Sequence, residues 1–281
     1  MNKIPITVVV PIKNEEKLLA QCLSLLDEFN EVIVVDSSST DRSPQIVEEF
    51  KRTYVNFEWN GQFPKKRNWT LRNVPINNEW VLFLDADEFV TESFKKELAD
   101  VIKDTDCIGF WVSYTNEFMG KMMKHGSPMK KLPLFKVGAG EYEFIDEKSW
   151  SKLDMEVHEH PILKGKIGSI KSRVIHRDFR GLTHYIQKHN EYSSWEANRF
   201  LNRNNREGEV SFQQKIKYKL IDSWWLGPLY FIYCYFFQLG FLEGRIGYLW
   251  ASYKMQYFFN VKAKITEIRM EQKKRDNAEI K

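Results

Sequence analysis

At 281 residues the chain has room for one large catalytic domain plus an appendage. Hydrophobic residues make up 43% and charged residues 28%, the balance of an ordinary globular protein. The net charge of +4 hides an uneven distribution: from Leu201 onward 14 Lys/Arg stand against 8 Asp/Glu, while the residues before it carry 28 against 30. A basic tail on a nearly neutral body points to an anionic partner surface, nucleic acid or anionic lipid. Cys22, Cys107 and Cys234 have neither metal-ligand nor redox spacing, which excludes a cysteine-based centre. So sparse a set fits a reducing compartment, with the thiols as small buried hydrophobes. Pro5 and Pro11 flank a short apolar run and charges follow at once, so no signal peptide is expected and the chain reads as cytoplasmic.

Ile6 to Val10 is a continuous β-branched run, the pattern of a strand buried on both faces. Glu15 to Phe29 follows with helical spacing of Leu18, Leu19, Cys22, Leu25 and Leu26. Glu31 to Val35 is a second buried strand ending in Asp36; Ser37 to Asp41 is polar loop and Ser43 to Phe50 a helix. Phe57 to Trp59 fits a short strand, Phe63 to Val74 a basic helical stretch, and Trp80 to Leu84 the next buried strand, ending in Asp85. Alternating short strands and helices predict an α/β domain on a mainly parallel, Rossmann-like sheet. Beyond Cys107 the pattern is irregular and aromatic, with strands expected at Ile108 to Tyr114 and Ile167 to Ile175 and a helix over Thr183 to Leu201. Lys262 to Lys281 reads as a charged helical tail. The expected division is a catalytic domain over 1–205 and a helical region over 206–281.

The polar residues fall in a telling place. Lys13-Asn14-Glu15, Asp36-Ser37-Ser38 and Asp85-Ala86-Asp87 each sit just past the C-terminal end of a strand. Ligands of open α/β sheets bind along that edge. Asp85 and Asp87 supply a carboxylate pair for a hard divalent cation, Mg²⁺ or Mn²⁺, which keeps positions open for phosphate and water. The competing reading is a solvated turn with helix-capping acids. Lys65, Lys66 and Arg67 can bind a diphosphate, Arg67 in a bidentate manner, or form an ordinary basic patch.

The segments VVVPIKNEE, VIVVDSSSTDRS, WNGQFPKKRNW and WVLFLDADE, in this order and spacing over Val8 to Glu88, resemble the family 2 glycosyltransferases. Within that family, WNGQF with KRNW, VHEH and GFLEGRIG look most like bacterial lipopolysaccharide-core and capsule glucosyltransferases, and the likeness runs to roughly Ile265. The resemblance implies a GT-A fold, inversion at the anomeric carbon and a nucleotide-sugar donor. Carried over, it sets Pro11 and Glu15 under the nucleoside and Asp36 at the uracil ring. Lys66 and Arg67 then lie near the diphosphate, Asp85 near ribose and metal, and Asp87 on the metal.

Downstream the chain departs from the family pattern: the E-D pair that supplies the base and the Q-x-x-R-W that follows are not literally present. Glu156-Val157-His158-Glu159 looks like the counterpart of the first, with Glu159 as the base that takes the acceptor proton. Glu156 and Asp154 are alternatives, and an ion-pair role for Glu159 stays open. All six histidines lie between His125 and His189. His176, after a strand-like run, is a candidate metal ligand or a structural histidine. Lys188, His189 and Asn190 occupy the region where the second missing motif belongs.

Between Ile221 and Asn260 sit 15 of the 41 aromatic residues. Trp224 to Phe241 is nearly uncharged, but Gly227, Pro228, Gln238 and Gly240 interrupt it, and Tyr and Trp favour a bilayer's interface over its centre. With Lys215, Lys217 and Lys219 before it and Arg245, Lys254, Lys262 and Lys264 after, amphipathic helices lying on the inner face of an anionic membrane are expected, over core helices, an oligomer contact or a true span. The reading is an enzyme moving a hexose, in expectation glucose, from a UDP-sugar to a lipid-linked glycan such as lipopolysaccharide core. A polyprenyl-phosphate hexosyltransferase needs a cationic acceptor pocket that VHEH does not suggest. A nucleic-acid-binding protein lacks a recognised motif, and the cations flank the aromatics instead of interleaving with them.

Overall fold

The computed structural model describes residues 3–145, 160–202 and 217–279. Contacts divide the chain into two compact units, Met1–Asn116 with Met129–Asp178, and Glu117–Pro128 with Phe179–Lys281. The division falls after Asp178, because residues 117–128 and α5 (Leu182–Leu201) pack among the C-terminal helices.

The first unit is built on one mixed sheet with the order β3-β2-β1-β4-β8-β6-β11-β5. Its first half comprises β3 (Thr53–Asn56), β2 (Phe29–Asp36), β1 (Ile4–Ile12) and β4 (Trp80–Phe83). These four are parallel, in a register that sets Val8 between Val32 and Leu82. Their apolar runs are unbroken because both faces are covered. On one face Val8, Val10, Val34 and Leu82 meet α1 (Glu16–Ser24), α2 (Ser43–Glu49) and α4 (Glu92–Val101). On the other, Val9, Ile33, Val35 and Val81 pack with Trp69 and Leu71 of α3 (Lys66–Asn73).

Three boundaries differ from the sequence reading. The short strand lies at Thr53–Asn56 and not at Phe57–Trp59: Tyr54 and Val55 pair with Val34 and Val35, and Phe57 turns into the core. Helix α1 stops at Ser24, although Leu26 and Phe29 stay buried and so prolong the apolar periodicity. The charged tail is the last part of one 35-residue helix starting at Arg245.

The second half of the sheet comprises β8 (Lys130–Lys136), β6 (Gly109–Phe118), β11 (Ile167–His176) and the two-residue β5 (Glu88–Phe89). β8 runs antiparallel between β4 and β6, while β6 and β11 are parallel. β5 closes antiparallel on the end of β11, with His176 opposite Glu88. β7 (Lys121–Met122) turns back on the end of β6, and β9 (Gly140–Tyr142) pairs with β10 (Pro161–Leu163).

In the second unit α5 and α6 (Leu226–Ile232) pack on α7 (Arg245–Glu279). α6 continues as a π-helical turn over Tyr233–Phe237. The chain reverses at Leu239, whose φ is +58°, and a 3₁₀ turn over Gly240–Glu243 leads into α7. Gly247 is required there, since a Cβ would lie 1.9 Å from the carbonyl oxygen of Gly240. The turn between β7 and β8 is fixed by one carboxylate. Glu243, whose side chain is 5% exposed, accepts from the backbone N–H groups of Lys124 and His125 at 3.0 Å each and pairs with Lys121 at 2.7 Å.

Candidate active site

Because β2, β1 and β4 are parallel neighbours, the loops after Asp36, Ile12 and Phe83 leave the same edge of the sheet. Two of these loops are stitched together: Asn14 N–H donates to Ser39 Oγ at 2.8 Å, and Thr40 N–H donates to Asn14 Oδ1 at 2.8 Å. Asn14 holds a left-handed φ of +56°, a conformation that Asn tolerates. Glu15 N–H donates to Ser43 Oγ at 2.9 Å, and Pro11 and Glu15 are half-buried beside that junction. Asp36 is fully buried; its Oδ1 accepts from Ser39 N–H and Oγ–H, and its Oδ2 from the Tyr54 hydroxyl at 2.9 Å. Burial together with this bond to Asp36 pushes the Tyr54 phenol up to about 12.

Lys66 and Arg67 leave the first turn of α3 in different directions. The Lys66 ammonium donates to the Ile12 carbonyl at 2.9 Å in the interior, closing the end of β1. Arg67 reaches Asp85, N–H to Oδ1 at 2.8 Å, and its guanidinium lies 5.2 Å from the Tyr142 ring centroid. The other oxygen of Asp85 accepts from Lys131 at 2.8 Å, and Lys131 is also paired with Glu88. Burial works to raise Asp85, but Lys131 and Arg67 outweigh it and hold the carboxyl well below the usual range. Glu88 has the opposite balance: burial, with Lys131 opposing, pushes it up to about 8.

Asp87 and His176 come together because β5 pairs with the end of β11. Arg177 N–H donates to the Asp87 carbonyl at 2.9 Å and tightens that junction. His176 Nε2 lies 3.7 Å from Asp87 Oδ2, while its Nδ1 lies 2.9 Å from Oδ1 of the buried Asn116. Asn116 sits opposite His176 in the parallel β6–β11 register. A ring N–H given to that amide oxygen leaves the Nε2 lone pair facing Asp87. Burial lowers the His176 pKa and so favours the neutral ring. Burial also raises Asp87, against the pull of His176, with Asp85 and Asp178 adding to the rise. Asp87 Oδ1 is buried with no hydrogen-bond partner. A lone pair facing a carboxylate whose second oxygen is orphaned is an arrangement a cation completes. One ligand atom each from Asp87, His176 and Asp178 lies within 4.8 Å of the others, as does one each from Asp85, Asp87 and Glu88. Oxygen donors with one imidazole suit Mn²⁺ or Mg²⁺.

The sequence profile of Glycosyl transferase family 2 matches residues 7–148. The chain belongs to that family. It is a glycosyltransferase dependent on a nucleotide sugar, with a GT-A type fold. Over 274 residues it is 25% identical to the lipopolysaccharide core biosynthesis glycosyltransferase LpsC of Rhizobium meliloti, covering 94% of this chain and 92% of LpsC. It is 32% identical over 136 residues to the SPbeta prophage-derived glycosyltransferase SunS of Bacillus subtilis, which is 45% of this chain and 31% of SunS. The crystal structure of S. aureus TarS 1-349 in complex with UDP is also similar, at 18% identity and a TM-score of 0.44, covering 95% of this chain and 91% of that one.

In this family 2 chain the structure gathers Arg67, Asp85, Asp87 and His176 into one cluster, sets Asp36 at the end of β2, and ties Lys66 to the end of β1. Glu159, Glu156 and Asp154 lie outside the described residues. Sequence reasoning missed Lys131, Glu88, Asn116 and Asp178. For Lys131 a signal existed in the apolar Leu132-Pro133-Leu134-Phe135 run, which fills β8. Asn116 had none, since only the register of β6 against β11 places it beside His176.

Proposed function

We propose that this enzyme transfers a hexose, glucose in the first instance, from a UDP-sugar to a lipid-linked glycan such as lipopolysaccharide core, with inversion at the anomeric carbon. The observation that carries the donor side is Asp87 at the C-terminal edge of the sheet, with Oδ2 facing the His176 Nε2 lone pair and Oδ1 buried without a partner. Asp87 and His176, with Asp178 beside them, hold Mn²⁺ or Mg²⁺ in this reading. When bound, the ion supplies positive charge against the diphosphate, whose charge grows as the sugar departs. Both oxygens of Asp85 are engaged by Arg67 and Lys131, so Asp85 orients this side of the site and leaves Asp87 for the ion. Asp36, with Ser39 and Tyr54 around it, takes the uracil ring, and Pro11 and Glu15 lie under the nucleoside. Lys66 shapes that floor through the Ile12 carbonyl, and Arg67 supplies charge towards the diphosphate.

On the acceptor side Glu159 takes the proton of the attacking hydroxyl, a role supported by the likeness of Glu156 to Glu159 to the family's base segment. The glycolipid acceptor rests on the similarity to LpsC over nearly the whole chain. With it goes a peripheral position on the inner face of the cell membrane; among the described residues no helix is long and apolar enough to cross a bilayer. A thermal-shift screen of nucleotide sugars, with and without Mn²⁺, tests the donor reading. Stabilisation by UDP-glucose that depends on Mn²⁺ and is lost in Asp87→Ala is expected. Equal stabilisation in excess chelator would sink it.

A further inference from the structure

The second unit leaves an unusual surface bare. Along α6 and its π turn, Trp225, Leu229, Ile232 and Phe236 recur at helical spacing, and all four are exposed. Trp225 is 71% exposed and Phe237 75%, values that a monomer in water reserves for small or polar side chains. The reversal at Leu239 carries the same character into the 3₁₀ turn, where Phe241 and Leu242 are also exposed. On the returning helix Tyr248, Met255 and Phe259 repeat on one face, and the Phe259 ring lies 4.9 Å from Trp224. The apolar surface therefore runs down one helix, around a corner and back along the next.

Charge indicates what covers it. Between 217 and 264 six Lys/Arg stand against Asp222 and Glu243, and Lys217 is paired with the buried Glu196. Glu243 is buried against Lys121, and Asp222 is bonded by Lys262 and Arg269, so neither offsets the exposed Lys219 and Arg245. A second copy of this face would set like charge against like charge. An anionic lipid surface offers both apolar depth for the aromatics and counter-charge for the cations.

We propose that the segment from Trp224 to Leu242 inserts to interfacial depth in an anionic phospholipid monolayer, with Phe236, Phe237, Phe241 and Leu242 deepest because they flank the chain reversal. This deepens the membrane-surface reading above and rests on it, but not on the donor site. Lys219 and Arg245 meet headgroup phosphates at the rim, and Tyr248 and Phe259 lie along the same plane. The Glu243 carboxylate stiffens the corner from within by holding the turn at Lys124 and His125.

Flotation of the full-length chain, without detergent, on vesicles of pure phosphatidylcholine and of phosphatidylcholine with one-third phosphatidylglycerol tests this. The wild type floats with the anionic vesicles and is released by high salt, and brominated acyl chains quench its tryptophan fluorescence. Phe237→Ser with Leu242→Ser lowers the partition coefficient by about tenfold or more, since each removes a large apolar side chain from the lipid phase. Arg245→Gln with Lys219→Gln, surface changes that leave the core alone, lowers only the preference for phosphatidylglycerol. UDP binding with Mn²⁺, measured on the same samples, stays at the wild-type value in every variant, which separates failure of this proposal from failure of the donor reading. Wild-type protein that stays in the soluble fraction with both vesicle types overturns the proposal. So does a concentration-dependent dimer abolished by Phe237→Ser, which gives the face to a second copy.

Discussion

Replacing Asn116 by alanine tests the metal reading without touching a ligand. Its amide oxygen lies 2.9 Å from His176 Nδ1, and this contact fixes both the ring's rotation and which nitrogen carries the proton. Without it, the neutral ring can place its proton on Nε2 and point a donor at the ion. Losing such an outer partner weakens metal binding by about 10- to 100-fold. That corresponds to about 1.4–2.7 kcal/mol. Titration of Mn²⁺ into the UDP-loaded protein, with free Mn²⁺ read by electron paramagnetic resonance, measures the change directly. UDP stabilisation in the absence of metal should stay at the wild-type value. Asn116→Asp is the matching control: a carboxylate accepts the same ring proton, so Mn²⁺ binding should hold or tighten. Wild-type Mn²⁺ affinity in a folded Asn116→Ala protein would refute the argument, because the orientation of His176 would then be immaterial.

Asp87→Asn should abolish Mn²⁺-dependent turnover while circular dichroism stays native, and excess chelator should do the same to the wild type. Glu159→Gln should reduce turnover by about 10²-fold or more, with UDP affinity unchanged; normal turnover there, beside an inactive Glu156→Gln, would move the base to Glu156. Glu243→Ala strands two backbone N–H groups and the half-exposed Lys121, at a cost of about 3 kcal/mol, so amide exchange at Lys124 and His125 should accelerate first. Glu243 also gives a pH signature. Burial tends to raise its pKa, but the bonds from Lys121 and His125 prevail and hold it below the ordinary carboxylate value. Its stabilisation is therefore complete above that ordinary value and fades as pH falls through the lower folded one, so protection of the 121–126 turn should drop in acid before the rest of the unit and be flat with pH in Glu243→Ala.

Where a strand is buried on both faces, its residues announce it. Ile6 to Val10, Glu31 to Val35 and Trp80 to Leu84 were readable because burial demands unbroken apolar runs, and the polar residues after them could only lie at the sheet edge. In the second half β6 and β11 were readable from the runs at Ile108 to Tyr114 and Ile167 to Ile175, but β8, which carries Pro133, and the two-residue β5 were not. The candidate site follows the same divide. Asp85 and Asp87 sit at the end of a legible strand, whereas Asn116 and Lys131 reach the cluster through strand order and register, which no local pattern encodes. His176 could be suspected from its place after a strand-like run, but its approach to Asp87 depends on a two-residue pairing.

That two-residue pairing has a kinetic consequence. Asp87 and His176 are 89 positions apart and meet only when β11 has found β6 and β5 has closed on its end. Closures over such separations are late events in folding, since local contacts form first and long loops are slow to order. A chain holding only the parallel half of the sheet would thus present the loops after β1 and β2 before Asp87 and His176 are brought together. In the metal reading proposed above, capture of Mn²⁺ during refolding is then expected to track the last step of sheet assembly.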